Sequence, residues 1–488
     1  VLTLFDCVCI IVGTIIGAGI FQFPGVVASH LPNFPWFLGV WVFGGFIALV
    51  GALCFAELTT TYPDSGGDYG YLKRAYHPQI GFAFSWTAFW VIRPGNIGAL
   101  AMIFGKFGVS FFEQLFQSTG YVTPFWLAIL VVIAITALNG LGVVFSKTAQ
   151  NCLTSTKVIG ILILLGAAFA MATAGQPGSQ SDASAKAATN GAETASPPVE
   201  NVPPERLQPQ PLKSPVVAEA IVDKRSNWSS FWLAMVFVMF TFGGWNDIAF
   251  MASEVVDPQK NLLKSLLLGT LAVLGIYLIV NLCLVSGLGM EVLADLGSRF
   301  ENPTSLFVER ATGAGGAALF SALVSVSCLG GINAMIFTSP RIYWATARDY
   351  PSLTALTGSS ADRKGWRSMA LQCGVTILFI VTFGRKDEGI DNLVAATAPY
   401  FWLFLALTVL GLIINRYRYA GQFVGFRVPL YPLTPLIFIS ACGFMMYQAW
   451  SYLISKELGF AALLIGLWVV LGMVLSLALK RVIPEREG

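Results

Sequence analysis

Twelve stretches of roughly twenty mostly apolar residues recur along the chain, at about 5–29, 35–59, 79–105, 124–143, 155–174, 229–252, 265–287, 316–340, 369–384, 391–413, 432–454 and 460–480. An α-helix rises about 1.5 Å per residue, so runs of this length cross a hydrocarbon layer about 30 Å thick. Backbone polar groups find no water there, which leaves helices and closed barrels as the only spanning structures, and runs this uniformly apolar select helices. The sequence therefore predicts an all-α membrane protein with twelve transmembrane helices, its first partner the lipid bilayer. Composition meets the same demand: 11% of the 488 residues are charged and 56% hydrophobic. A soluble domain carries roughly 25% charged residues, so a water-facing enzyme of this length is excluded. The first run flows into a multispanning chain without a cleavage-site pattern and is not read as a signal peptide.

A net charge of +3 with no basic block gives no nucleic-acid partner. The two histidines, His30 and His77, fall between the apolar runs, and the eight cysteines are scattered singly apart from Cys7 and Cys9. No metal, disulfide framework or cofactor is expected from that distribution. No nucleophile and base recur at helical spacing, so an embedded enzyme is a poor reading. With the N-terminus inside, the inner loops hold sixteen Lys and Arg and the outer loops eleven, five of these in residues 175–226. Long inserts weigh little in such counts, so both termini are expected on the cytoplasmic side of the plasma membrane.

Residues 175–226 contain eight of the 24 prolines and no aromatic residue, which predicts an external insert without a packed core. Five runs precede it and five follow before residue 414, so the second set enters the membrane with opposite orientation. The domain boundaries that follow are a first repeat at 1–174, the insert at 175–226, an inverted second repeat at 227–414, and two further spans with the C-terminus at 415–488. Glycines interrupt the first run of each set, Gly13, Gly17 and Gly19 in VGTIIGAGIFQFPG and Gly243 with Gly244 in FTFGGWNDIAF. Matching interruptions of this kind point to a binding site near the membrane midplane. Unwinding frees backbone N–H and C=O groups that must line a cavity and bind something, and a zwitterionic amino acid offers a carboxylate and an ammonium to satisfy both. The plainer alternative is that Gly13 and Gly17 form a small-residue packing face.

Several blocks, in order, are similar to those of one family: IIGAGIF (15–21) with Pro24 and Gly25, ALCFAEL (52–58), GGDYGYLKRAY (66–76), VIRPG (91–95), FGGWND (242–247), EVVDPQKNL (254–262) and FTSPR (337–341). They resemble the amino acid/polyamine/organocation superfamily, and within it the L-type amino acid transporters and bacterial serine/threonine exchangers. The resemblance covers about residues 5–350, with later spans matching by hydropathy alone. It implies a LeuT-type five-plus-five inverted repeat with helices 1 and 6 broken, and amino acid transport by alternating access. Ile15, Ile16, Gly17, Ala18 and Gly19 would then hold the substrate backbone, and Phe240, Gly243, Gly244 and Trp245 would supply carbonyls and an aromatic gate. Ala18 stands where relatives often carry Ser, which removes one hydroxyl contact to the carboxylate. Relatives that join a heavy chain do so through a cysteine in the loop after span three; residues 106–123 have none, so no disulfide-linked heavy chain is expected.

The charged residues inside the spans carry the rest. Lys157 opens the fifth run, where its stem allows snorkelling to the inner surface; the resemblance instead implies a built-in cation that couples or replaces an ion. Arg93 lies mid-span and must find acceptors, with Asp247, Glu57 and freed carbonyls as candidates and a structural or a transport role both open. Asp247 either caps the second half of span six or meets a substrate ammonium. Trp245 reads as packing or gate, Glu57 as an interfacial contact, and Glu254 as part of an inner gate. The expected function is sodium-independent transport of neutral amino acids by proton symport or exchange. A cationic amino acid or polyamine carrier is the alternative if Asp247 or Glu57 faces the pocket. A non-translocating membrane amino acid sensor is the alternative from another class.

Overall fold

The first apolar run forms two helices rather than one. α1 (Leu4–Ile15) begins at a capping box, in which Thr3 Oγ1 accepts from the Asp6 N–H and the Asp6 carboxylate accepts from the Thr3 N–H. It stops at Ile15, and α2 (Gly19–Ser29) resumes after a three-residue break with a bend of 46°. α3 (Phe34–Thr61) starts at an Asn33 cap with proline in its first turn. The short α4 (Asp68–Ala75) precedes α5 (Pro78–Thr87), which continues through one widened turn, Ala88–Ile92, into α6 (Arg93–Phe116). The widening has a cause in the sequence. Pro94 has no N–H and its ring crowds the carbonyl four residues back, and the Arg93 N–H reaches Ala88 O, five back.

α7 (Pro124–Gly140) and a helical stretch at 160–167 complete the part before the insert. After it come α8 (Asn227–Thr241), a turn at 242–244 and a tight three-residue-per-turn helix, Trp245–Glu254. Then follow α9 (Pro258–Leu288), α10 (Met290–Ser298), α11 (Pro303–Asp349), α12 (Trp366–Phe383), α13 (Gly389–Arg418), α14 (Leu433–Ser455) and α15 (Gly459–Ala478). α11 is two helices end to end, joined at Gly313 with φ of 77°.

The computed structural model describes residues 2–63, 66–116, 123–140, 157, 160–167, 227–299, 301–354, 365–385, 388–419 and 425–479. Among these, nine helical segments are long and apolar enough to cross a membrane, ten if α1 and α2 count as one span. Of the twelve runs in the sequence, the fourth forms the shorter α7, 17 residues long, and most of the fifth lies outside the described residues, as does the expected insert. Among the described residues no strand forms; Leu2 makes one isolated bridge with Val255. The outermost helix, α15, turns Leu467, Val470 and Leu477 outward at 57%, 54% and 69% exposure. Leaving a leucine side chain in water forgoes about 1.5–3 kcal/mol of burial, so a face of this kind belongs in lipid.

Candidate functional site

The two interruptions meet. Gly244 takes φ of 110°, a conformation only glycine adopts freely, and a Cβ there would lie 3.1 Å from Thr14 O. The close approach lets Thr14 Oγ1 contact Gly244 O at 3.3 Å while it also bonds Ile10 O and Ile11 O within its own helix. Tyr277, fully buried on α9, ties the same junction: its hydroxyl lies 2.9 Å from both Ile15 O, the last carbonyl of α1, and Thr241 O, the last of α8. One hydroxyl proton therefore serves two helix ends. At the opposite polarity, the first N–H groups of α2 have no acceptor within their helix.

These ends border a cavity of about 100 Å³. Its lining is largely apolar, with Ile92, Leu100, Val236, Phe240, Met335 and Phe401 among it. Polar groups are set among these: Thr14, Asp68, Arg93, Asn96, Asn246, Asp247 and Thr397. A concave, mostly apolar space with a few polar groups suits a small molecule that carries both a polar and an apolar part.

Arg93, 7% exposed, donates through Nη2 to Asp247 Oδ1 at 2.9 Å and through Nη1 to Asp247 Oδ2 at 3.3 Å. Of the acceptors open to it in the sequence, the structure selects Asp247. The cap reading of Asp247 gives way here: Gly244 occupies the cap position, no side chain caps that helix, and both carboxylate oxygens go to the guanidinium. Asp68, at the start of α4, is 2% exposed and its Oδ1 meets no hydrogen-bond donor. Burial pushes this carboxyl up to about 7 against the pull of Thr408, with Asp247 adding to the rise and Asn246 and Arg93 opposing it.

Lys157 does not snorkel. It is 2% exposed and its Nζ donates to Gly13 O of α1 at 2.6 Å, with no carboxylate paired to it among the described residues. Glu57 is remote from the cavity: Arg416 holds it in a bidentate pair, Nε to Oε1 at 2.6 Å and Nη2 to Oε2, and the Val428 N–H donates to it at 2.7 Å. The Glu254 carboxylate sits 4.0 Å from Arg341 of the FTSPR block, half exposed.

Of the residues singled out in the sequence, Ile15, Gly17, Gly19, Arg93, Phe240, Gly243, Gly244 and Asp247 line the cavity together. Ile16 and Ala18 are buried in the core beside it, and Trp245 packs edge-on against Phe55 and Phe438. Missing from that reading were Asp68, Asn96, Tyr277 and Asn246. Tyr277 and Asn281, four apart in an apolar run, were visible as polar residues on one helix face. Asp68 was visible as the acid after a double glycine.

A lipid-facing chain whose elements are all helical among its described residues, and whose interrupted helices converge on a cavity, is an integral membrane protein of the solute-transporter class. The chain belongs to the amino acid permease family, whose model matches residues 2–475. It is 26% identical over 463 residues to the b(0,+)-type amino acid transporter 1 of Mus musculus, covering 92% of this chain and 84% of that protein. Similarity to the serine/threonine exchanger SteT of Bacillus subtilis is 26% over 440 residues, 90% of this chain and 88% of the exchanger. The large neutral amino acids transporter small subunit 2 of Homo sapiens is 27% identical over 461 residues, 94% and 77% of the two chains.

Proposed function

We propose that the protein carries neutral amino acids across the membrane by alternating access, without sodium, as a proton symporter or an amino acid exchanger. The observation that carries this is the convergence of α1, α2, α8 and the Trp245–Glu254 helix on one cavity. In this reading the segment Ile15 to Gly19 holds the substrate carboxylate through the N–H groups of Ala18 and Gly19, those of Ile16 and Gly17 being bonded to Val12 O and Ile15 O; the helix-end carbonyls with those near Gly243 and Gly244 hold the ammonium, and Phe240 closes over the side chain. Neutral substrates are favoured because Arg93 and Asp247 cancel one another, while Glu57 is spent on Arg416 away from the cavity. The cationic-substrate reading asks for Asp247 or Glu57 at the cavity; Asp247 does line it, but with its carboxylate engaged by Arg93.

The architecture we propose is twelve spans in a LeuT-type five-plus-five inverted repeat, 1–174 and 227–414, with two further spans in 415–488 and broken helices 1 and 6. The insert at 175–226 lies outside, both termini are cytoplasmic, and the membrane is the plasma membrane. Lys157 supplies a fixed or titrating positive charge to the end of α1 through Gly13 O, which is the support for sodium independence. Glu254 with Arg341 forms part of the inner gate, and the subunit works without a disulfide-linked heavy chain.

Counterflow tests the reading. Purified protein in liposomes loaded with an unlabelled neutral amino acid, in sodium-free buffer, is expected to accumulate the labelled one. Binding without flux would make it a sensor, preference for lysine or a polyamine would overturn the substrate class, and a sodium requirement would overturn the coupling.

A further inference from the structure

Asp68 has no part in the reading above, yet the chain is shaped to deliver it. Gly66 and Gly67 precede it with φ of 77° and 67°, and a Cβ on Gly67 would lie 2.5 Å from the ring of Phe250, itself part of the cavity wall. The backbone passes where no side chain fits, and the first residue of α4 reaches the cavity.

Its surroundings offer no counter-charge that is not already paired. The charged groups that face it are Arg93 and Asp247, already bonded to each other; from α13 comes Thr408 and from the Trp245–Glu254 helix Asn246, both uncharged. On its own helix Lys73 is paired with Asp349 at 2.5 Å, and Arg74 lies over the rings of Tyr62 and Tyr419. A carboxylate at this depth, unpaired, is costly; the neutral carboxyl is the form that fits a closed cavity.

The rest of α4 is held at the end of the bundle where the inner loops are expected. Tyr69 donates to Asp349 at 2.5 Å, Tyr76 to Leu407 O at 2.9 Å, and Arg418 to Ala75 O at 3.1 Å. These bonds tie α4 to the ends of α11 and α13, so an opening of the bundle on that side must release or carry α4 and bring water to Asp68.

We propose that Asp68 is the proton-binding site of transport: protonated while the cavity is closed, it gives its proton to water when the α4 side opens, and is reprotonated when the cavity opens to the other side. The O–H bond of the carboxyl breaks, hydronium forms and a carboxylate remains; no other bond changes. The inference rests on the transport reading and chooses symport within it.

The test uses full-length protein in liposomes containing a pH-sensitive dye, with net amino acid uptake and lumen pH followed in vesicles empty of substrate and counterflow measured separately in vesicles preloaded with it. Wild-type protein is expected to acidify the lumen in step with amino acid entry, and Asp68→Asn to move far fewer protons per amino acid, at whatever rate it still transports. Asp68→Glu restores the ratio. Counterflow in the wild type with no acidification of the empty vesicles overturns the proposal while leaving transport standing; absence of counterflow in the wild type overturns transport itself. An unchanged ratio in Asp68→Asn also overturns the proposal, as does selective loss of lysine uptake in that variant, which would assign Asp68 to a substrate side chain. Should Asp68→Asn fold but not transport, the infrared band of a protonated carboxyl, taken as wild type minus variant, is expected to vanish as the pH rises through about 7. A midpoint in the ordinary carboxylate range refutes it.

Discussion

Arg93 and Asp247 join α6 to the Trp245–Glu254 helix at the cavity, with side chains 9% and 12% exposed. Removing one partner of such a pair strands the other in a medium that cannot solvate it, at a cost of about 3–5 kcal/mol, whereas removing both leaves less to strand. Arg93→Gln and Asp247→Asn are therefore each expected to destabilise the purified protein strongly, and the double variant by less than the sum, with a coupling energy of at least about 1.5 kcal/mol. Two hydrogen bonds at 2.9 and 3.3 Å, rather than one, place the pair among the well-aligned ones. The assay is unfolding of the four proteins in one detergent, run as a double-mutant cycle. Asp68 gives an independent readout: Asp247 raises its carboxyl and Arg93 lowers it. Asp247→Asn should move the infrared titration of Asp68 down and Arg93→Gln should move it up. Additive stabilities, or shifts of the same sign, would refute the assignment of a buried, mutually compensating pair.

Tyr277→Phe leaves Ile15 O with the Gly17 N–H at 2.7 Å but deprives Thr241 O of its donor, so about 1–3 kcal/mol should be lost in detergent melts, with weaker amino acid binding in a direct assay. Gly244→Ala sets a Cβ 3.1 Å from Thr14 O at a strained φ of 110°, and is expected to abolish counterflow more completely than Gly39→Ala, which meets open space. Lys157→Ala strands Gly13 O and should stop uptake; full sodium-free activity in that variant would remove Lys157 from the mechanism. Because the Asp68 carboxyl is raised above its usual range, the stability it contributes is complete at acid pH and is lost as the pH rises through about 7. The stability difference between wild type and Asp68→Asn should follow that slope, and a flat difference would count against it.

What the sequence made legible was set by length and by chemistry that lipid forbids. Apolar runs located the helices, some to within a few residues, as at 35–59 against Phe34–Thr61, others only by their middle, as at 316–340 within Pro303–Asp349, because nothing but a helix satisfies a backbone there. Glycines, spaced at Gly13, Gly17 and Gly19 in the first case and adjacent at Gly243 and Gly244 in the second, located both interruptions for the same reason. Pairing was less legible: Arg93 had to find an acceptor, but the choice among Asp247, Glu57 and carbonyls depended on which helices become neighbours. Glu57 turned out to face α13 and the segment before α14, where Arg416 and the Val428 N–H hold it. The continuation of span three through a widened turn was half visible, since Pro94 announced a defect without saying whether it would be a kink or an extra residue per turn.

Asp68 shows why a loop acid is the hardest functional residue to read. In sequence it sits between spans two and three beside Lys73 and Arg74, a position that reads as a solvated loop belonging to topology. In the fold its helix packs inward, and Lys73 and Arg74 are engaged by Asp349, Tyr62 and Tyr419 rather than by Asp68. The same short helix thus carries a buried carboxyl at its first residue and bonds to α11 and α13 along the remainder. A rigid element eight residues long cannot keep its bonded end in place while hydrating the other, so breaking the Asp349 contacts and wetting Asp68 become one event. If that coupling operates, Asp349→Asn should weaken the hold on α4 and shift the Asp68 titration toward the ordinary carboxylate range, even though Asp349 does not line the cavity. An unshifted titration in Asp349→Asn would separate the inner contacts from the proton site and leave α4 a structural strut.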